Sequence, residues 1–273
     1  MFQDSRRKSL LSSVITICEL IYHTTVRDVR KSHGNAFVAL FTNIMTAIVF
    51  VLAFYLMFSV FGLRGVKVRG DFLLYMMSGI FLFLTHIKAL GAVAGADNAS
   101  SPMMQHGPMN TVISITSAAL GALYIQVLSA VVILFFYHTL LNRIEIDDPI
   151  GTMGMMLLAW FTGVAVGLLL LAMKPWFPTA TTLIQTIYTR ANMIASGKLF
   201  VANMLPGSML VLFDWNPLFH VIDQCRGFVF ENYFPRNSSY EYALYVGITL
   251  LFIGLLAEFY TRQHASNSWN ARR

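Results

Sequence analysis

Charge is what this chain has least of. Lysine, arginine, aspartate and glutamate make up 12% of its 273 residues, about half the share usual in a soluble domain. The scarcity is also local. From Ala36 to Leu63 there is no Asp, Glu, Lys or Arg, and between Asp97 and Arg143 there is again none. Each run is longer than the roughly 20 apolar residues that cross a bilayer core. A transmembrane barrel is excluded, because it would show short segments of alternating polarity instead of long apolar runs. The composition therefore describes an all-α, polytopic membrane protein.

Other absences narrow the function. There are two cysteines, Cys18 and Cys225, and the topology below puts them near opposite membrane faces, which argues against a disulfide framework. No GxxxxGK[ST] phosphate loop occurs, so the chain does not hydrolyse nucleotide by that route. HExxH, CxxC and GxSxG are missing as well. His220 and Asp223 stand one helical turn apart and could ligate a metal or relay a proton, but a satisfied polar pair explains the spacing equally. No catalytic constellation emerges. No cleavable signal peptide is read at the start: Met1 to Ser9 is polar and basic, and the first long apolar run begins near Ala36.

Six spans can be drawn, at Ala36–Gly62, Phe72–Gly95, Thr111–Leu141, Ile150–Met173, Thr179–Met204 and Tyr240–Tyr260. An even number puts both termini on one side. If that side is cytoplasmic, ten basic residues lie there and six opposite, a modest positive-inside bias. Arg64, Lys67 and Arg69 pull the other way. Residues 1–35 form a cytoplasmic N-terminus, 36–262 the transmembrane domain and 263–273 a cytoplasmic tail. Within the first part, Val14, Ile17, Cys18, Ile21 and Thr25 share one helical face, and Glu19, His23, Arg27 and Arg30 the other. That is the pattern of an amphipathic helix lying in the interface. The segment of about 205–236 is too apolar for a free loop and is broken by Pro206, Gly207, Pro217, Gly227 and Pro235. It reads as short re-entrant helices, since broken backbone at membrane depth needs protein or a water-filled cavity around it.

Ionisable groups inside spans carry the functional signal. Lys88, Arg190 and Lys198 each cost about 2.5–3.5 kcal/mol at a helix centre. Lys88 and Lys198 can reach an interface by snorkelling. Arg190 is central and sits among Gln185, Thr186, Tyr188, Thr189 and Asn192, a face suited to lining a hydrophilic conduit. Phe50, Phe54, Phe58 and Phe61 make an aromatic stripe on the first span, able to support sugar rings or simply to pack. Gly91–Gly95 and Gly163–Gly167 are GxxxG pairs that let helices approach closely.

Three stretches resemble a known family. Arg27-Asp28-Val29-Arg30-Lys31-Ser32-His33-Gly34 is similar to a R-E-[hydrophobic]-K-T-R-[aromatic]-G segment, with Ser32 and His33 departing from it. Ser78-Gly79-Ile80 through Gly91-Ala92-Val93 is similar to a second span leading into a cytoplasmic loop. Trp215-Asn216-Pro217-Leu218-Phe219-His220-Val221-Ile222-Asp223, followed by Arg226, is similar to W-N-P-L-x-H-x-I-E…R, with Asp223 in place of Glu. Together they resemble the membrane subunit of type-2 ABC exporters, and among these the capsule-type polysaccharide-export permeases of the bacterial inner membrane.

The resemblance implies a transport subunit and not an enzyme. It implies a homodimer working with two copies of a separate ABC ATPase, which would bind the ATP and magnesium, with no cofactor in this chain. The cargo would be a polysaccharide or glycolipid, lipid-linked, and an envelope with two membranes would add periplasmic and outer-membrane components; separately, Lys88, Arg190 and Lys198 suit a cargo bearing carboxylate or phosphate. Nucleic acid is not an expected partner. Arg27, Arg30, Lys31, Asp97, Met103 and Met104 would contact the ATPase. Phe50, Phe54, Phe58, Phe61, Tyr188 and Arg190 would line the channel, and Asn216, Pro217, His220 and Arg226 would shape a periplasmic gate. Two other readings compete: an ion-coupled carrier, which needs intramembrane carboxylates, and a membrane-embedded enzyme acting on lipid-linked sugars, for which Asp214, His220, Asp223 and Glu231 are the only outer cluster.

Overall fold

The computed structural model describes residues 10–31, 35–61, 71–97 and 110–264. Among the described residues there are nine α-helices and no strand. They are α1 (Leu10–Lys31), α2 (Ala36–Val60), α3 (Phe72–Ala94), α4 (Thr111–Leu140), α5 (Pro149–Met173), α6 (Pro178–Ala195), α7 (Gly207–Leu210), α8 (Pro217–Val229) and α9 (Tyr240–His264), with a 3-10 turn at Ala202–Met204. Helices α2, α3, α4, α5 and α9 are long and apolar enough to cross a membrane. Their bounds fall close to the expected spans. The expected span Thr179–Met204 differs: it is helical only over α6, 18 residues, and does not join those five. Ser196 and Gly197 end it, and threonine, glutamine and asparagine dilute its apolar content.

Side chains that answer unpaired backbone amides start the helices. Asn35, Asp71, Asp148 and Asn216 each accept from an amide two residues on, and Asp148 also from Gly151. Proline follows the cap directly at Pro149 and Pro217, where its missing N–H costs nothing.

Helix α3 is the hub. It packs on α2, α4, α5 and α8, and from Leu74 to His86 every residue is buried. Helix α5 lies between α3 and α9. The α3–α5 contact is possible because α5 has no side chain at two points. A Cβ on Gly163 would stand 2.4 Å from the His86 carbonyl oxygen, and one on Gly167 2.7 Å from that of Leu90. This GxxxG pair does bring two helices together. Gly91 does not act this way, since a Cβ there would find only Gln185 at 3.8 Å. Helices α2, α4 and α9 turn apolar faces outward, among them Phe41, Leu52, Phe135, Phe252 and Phe259. Around a water-soluble fold such faces would be a large sticky patch; around a membrane bundle they are the lipid surface.

Several polar groups inside the bundle are paired. Asn43 on α2 donates to Ser129 and accepts from Gln126 on α4. At one end of the bundle Tyr137 donates to the Asp71 carboxylate, and Asn142 adds a second donor at 3.1 Å. At the other end, α1 packs on α4, with Val29 and Thr25 against Gly121. The outer half of α1 leaves Val14, Ile15 and Ile17 exposed.

Gly163→Val should lower the midpoint of thermal unfolding in detergent by the equivalent of about 1–3 kcal/mol or more, the usual result of overpacking. Gly154→Ala, whose Cβ meets nothing within 4 Å, should leave it unchanged or raise it. Tryptophan fluorescence on heating checks both.

Candidate functional site

The broken segment after α6 is held by one guanidinium. Arg226 on α8 is buried, 1% exposed. It donates to the carbonyls of Gly197 at 2.9 Å, Lys198 at 2.7 Å and Phe200 at 2.7 Å, and its plane lies over the Tyr75 ring. These carbonyls are left without helical partners when α6 ends, so a rigid fork of N–H groups replaces the missing ladder. Gly197 makes the turn with a φ of +74°, and a Cβ there would strike the Phe219 ring at 2.7 Å. Gly79 on α3 provides the floor, with Arg226 and Lys198 each 3.0 Å from where its Cβ would be.

Around this junction the expected gate residues each have a definite task. Asn216 caps α8 with its oxygen and donates with its nitrogen to Asn192 Oδ1 and the Ala195 carbonyl, tying α8 to α6. Pro217 follows as the first residue of the helix. His220 Nδ1 accepts from the Ser239 amide, so Nε2 carries the proton and donates to the Asp214 carbonyl at 2.6 Å. The Asp214 carboxylate stands 3.4 Å from the same nitrogen. Asp223 points elsewhere, accepting from Tyr233 and from Ser238. Burial, and next the Asp223 carboxylate, push the Tyr233 phenol above its ordinary pKa, which keeps it a donor. His220 and Asp223 are thus separately satisfied and do not pair with each other. Among the described residues, no group of three His, Cys, Asp or Glu side chains is placed to hold a metal ion.

The aromatic stripe divides. Phe50, Phe54 and Phe58 turn inward and pack on α3, while Phe61 at the end of α2 is exposed. Phe50 and Phe54 join Phe83 of α3 around the Lys198 ammonium. Nζ lies 3.4 Å from the Phe83 centroid, 5.2 Å from that of Phe54 and 5.5 Å from that of Phe50. Lys198 is fully buried and Nζ has no hydrogen-bond partner. An unpaired buried ammonium costs several kcal/mol, of which desolvated cation–π contact returns about 2 kcal/mol.

Helix α6 is amphipathic with its polar side inward. Thr181, Gln185, Tyr188 and Asn192 face the bundle. Tyr188 stacks on His86 and donates to its Nε2 at 3.0 Å, while His86 Nδ1 donates to the Ala159 carbonyl. Leu183, Ile187 and Ile194 face outward, and Arg190 is exposed in the same stripe. Tyr188 and Arg190, expected together on one channel face, therefore lie on different sides of their helix.

At the α1 end, α1, α2, α3 and α4 border an open cavity of about 580 Å³ lined by Asp28, Asn43, Lys88, Asp97 and Gln126 among others. Arg27 Nη2 lies 3.5 Å from Asp28 Oδ1. The Asp97 amide donates to Ser114. Of the other expected ATPase contacts, Met103 and Met104 and the side chains of Arg30 and Lys31 lie outside the described residues. Sequence reasoning missed Tyr75 and Phe83. Each is an ordinary span residue by type, and only the approach of a second element gives it a role.

Arg226→Lys keeps the charge but cannot span three carbonyls. Hydrogen bonds to a charged group are worth about 1.5–3 kcal/mol each, so the variant should lose at least about 2 kcal/mol of stability. It should also become more sensitive to protease between residues 197 and 216, read by mass mapping of the fragments.

No family model matches the chain. Two curated proteins of Escherichia coli, each a polysialic acid transport protein KpsM, are similar to it. One is 22% identical and the other 23%, in both cases over 195 residues that cover 71% of this chain and 75% of the relative. These relatives bear out the resemblance of this chain to the permeases of polysaccharide export, the membrane subunits of type-2 ABC exporters.

Proposed function

We propose that this chain is the membrane-spanning subunit of an ATP-driven exporter that moves a polysaccharide, of capsule type, across the inner membrane. It works as a homodimer with two copies of a separate ATPase subunit that binds ATP and magnesium, and both termini are cytoplasmic. The observation that carries the reading is the similarity to polysialic acid transport proteins over 71% of the chain. The five apolar helices and the absence of a phosphate loop support it.

The α1 end is the ATPase-facing side in this reading. Arg27, Arg30 and Lys31 on α1, with Asp97, Met103 and Met104 beyond α3, form the docking region. Periplasmic and outer-membrane components complete the route where the envelope has two membranes. The opposite end carries the Asn216–Arg226 gate, and α2 and α6 flank the path. The glycan is acidic and lipid-linked. Lys88, Arg190 and Lys198 are cations near the path, and polysialic acid, named for the two relatives, is an acidic polymer. The competing enzyme reading has less support, because His220 and Asp223 are engaged by backbone and side-chain donors and do not converge on one point.

The test is purification of the tagged chain in mild detergent with its neighbours. The chain alone should show no ATPase activity, and an ATP-binding partner should accompany it at one to one. Reversing charge at Arg27, Arg30 and Lys31 together should release that partner while the chain remains folded. A chain that purifies alone in several detergents would overturn the reading. In cells, Arg190→Gln should reduce export of an acidic polymer several-fold; unchanged export would remove Arg190 from the path.

A further inference from the structure

Lys198 carries an amine head that is enclosed and without any partner that accepts a hydrogen bond. Among the described residues, no carboxylate comes within ion-pair distance of it. Three phenylalanine rings replace part of its hydration, yet a ring face accepts no proton as water or a carboxylate does. The backbone on either side is fixed. The Lys198 carbonyl is held by Arg226, Gly197 makes its tight turn against Phe219, and the Lys198 Cα rests on Gly79. The movable part is the four-carbon stem with its ammonium. An ammonium on a rigid base, short of one acceptor, has the makings of an anion-binding group.

We propose that Lys198 is a specificity-determining residue for acidic glycan. With no cargo present its ammonium rests in the Phe50–Phe54–Phe83 cage; when cargo arrives it leaves the rings for a carboxylate or phosphate on the sugar. The inference rests on the export reading above and adds to it the residue that selects charge. A plain structural role makes a different demand. If the cage only pins the α6–α7 connection to α2 and α3, the ammonium is glue, and removing it weakens the fold.

Lys198→Met separates the two. Methionine has similar length, fills the same space and makes favourable sulfur–ring contacts, but it carries no charge to bury. The experiment uses the full chain with its ATPase partner, reconstituted in lipid nanodiscs. It measures binding of an oligomer of four sialic acid residues and of maltotetraose, with thermal unfolding alongside. The wild type should bind the acidic oligomer at least tenfold more tightly than the neutral one. Lys198→Met should erase that preference, leave maltotetraose binding as it was and raise the unfolding temperature. Lys198→Arg should keep most of the preference. Unchanged preference in Lys198→Met would overturn the proposal. So would a lower unfolding temperature with both sugars weakened equally, which is the signature of glue. A wild-type complex that assembles with its ATPase but binds neither oligomer would overturn the proposal and leave the export reading standing. A chain with no ATPase partner would bring down the export reading itself.

Discussion

A backbone inside hydrocarbon has no water to fall back on, and this chain stops being helical at Ala195 in the middle of its bundle. Everything around that junction follows from how the break is satisfied. Arg226 reaches from α8 and takes the carbonyls of Gly197, Lys198 and Phe200 on one planar fork. The fork is supported from below by Tyr75 and needs the empty space at Gly79. α8 must then be held where its arginine can reach, which Asn216 does from one end through Asn192 and Ala195. The Trp215–Arg226 segment is thus a device for ending a helix inside a bundle and starting another.

The five apolar helices were legible because their signal is a sum. Twenty-odd residues without charge leave no alternative, and capping side chains at Asp71, Asp148 and Asn35 sharpen the ends. α6 was not legible in the same way. Its polar residues and its apolar ones are mixed along the sequence, and hydropathy cannot say which set turns inward. The structure turns the polar set inward, so Tyr188 and Asn192 are buried partners while Arg190 is outside.

The site was legible only where a sequence pattern coincided with a local structural task. Asn216-Pro217 reads as a cap followed by a first-turn proline, and the structure uses it so. Phe50 and Phe54 were visible as a stripe, but their place around Lys198 depends on Phe83 of another helix and on a turn at Gly197 far along the chain. The two GxxxG pairs look alike in sequence, yet only Gly163–Gly167 meets a backbone. Spacing reports that a face is smooth; it does not report what comes to lie on it.

The contact of α6 with the hub has a property that the α3–α5 contact lacks. α3 and α5 are joined mostly by hydrocarbon and closely approaching backbone, with His86 as the polar tie to Ala159 and Thr162, and parting them would expose largely apolar surface that water has no reason to enter. The join between α6 and its neighbours is a seam of polar groups: Tyr188 on His86, Asn192 on Asn216, Gln185 beside Gly91. Water or sugar hydroxyls can satisfy those groups almost as well as they satisfy one another. A bundle built in this way has a predetermined line along which it can become wet.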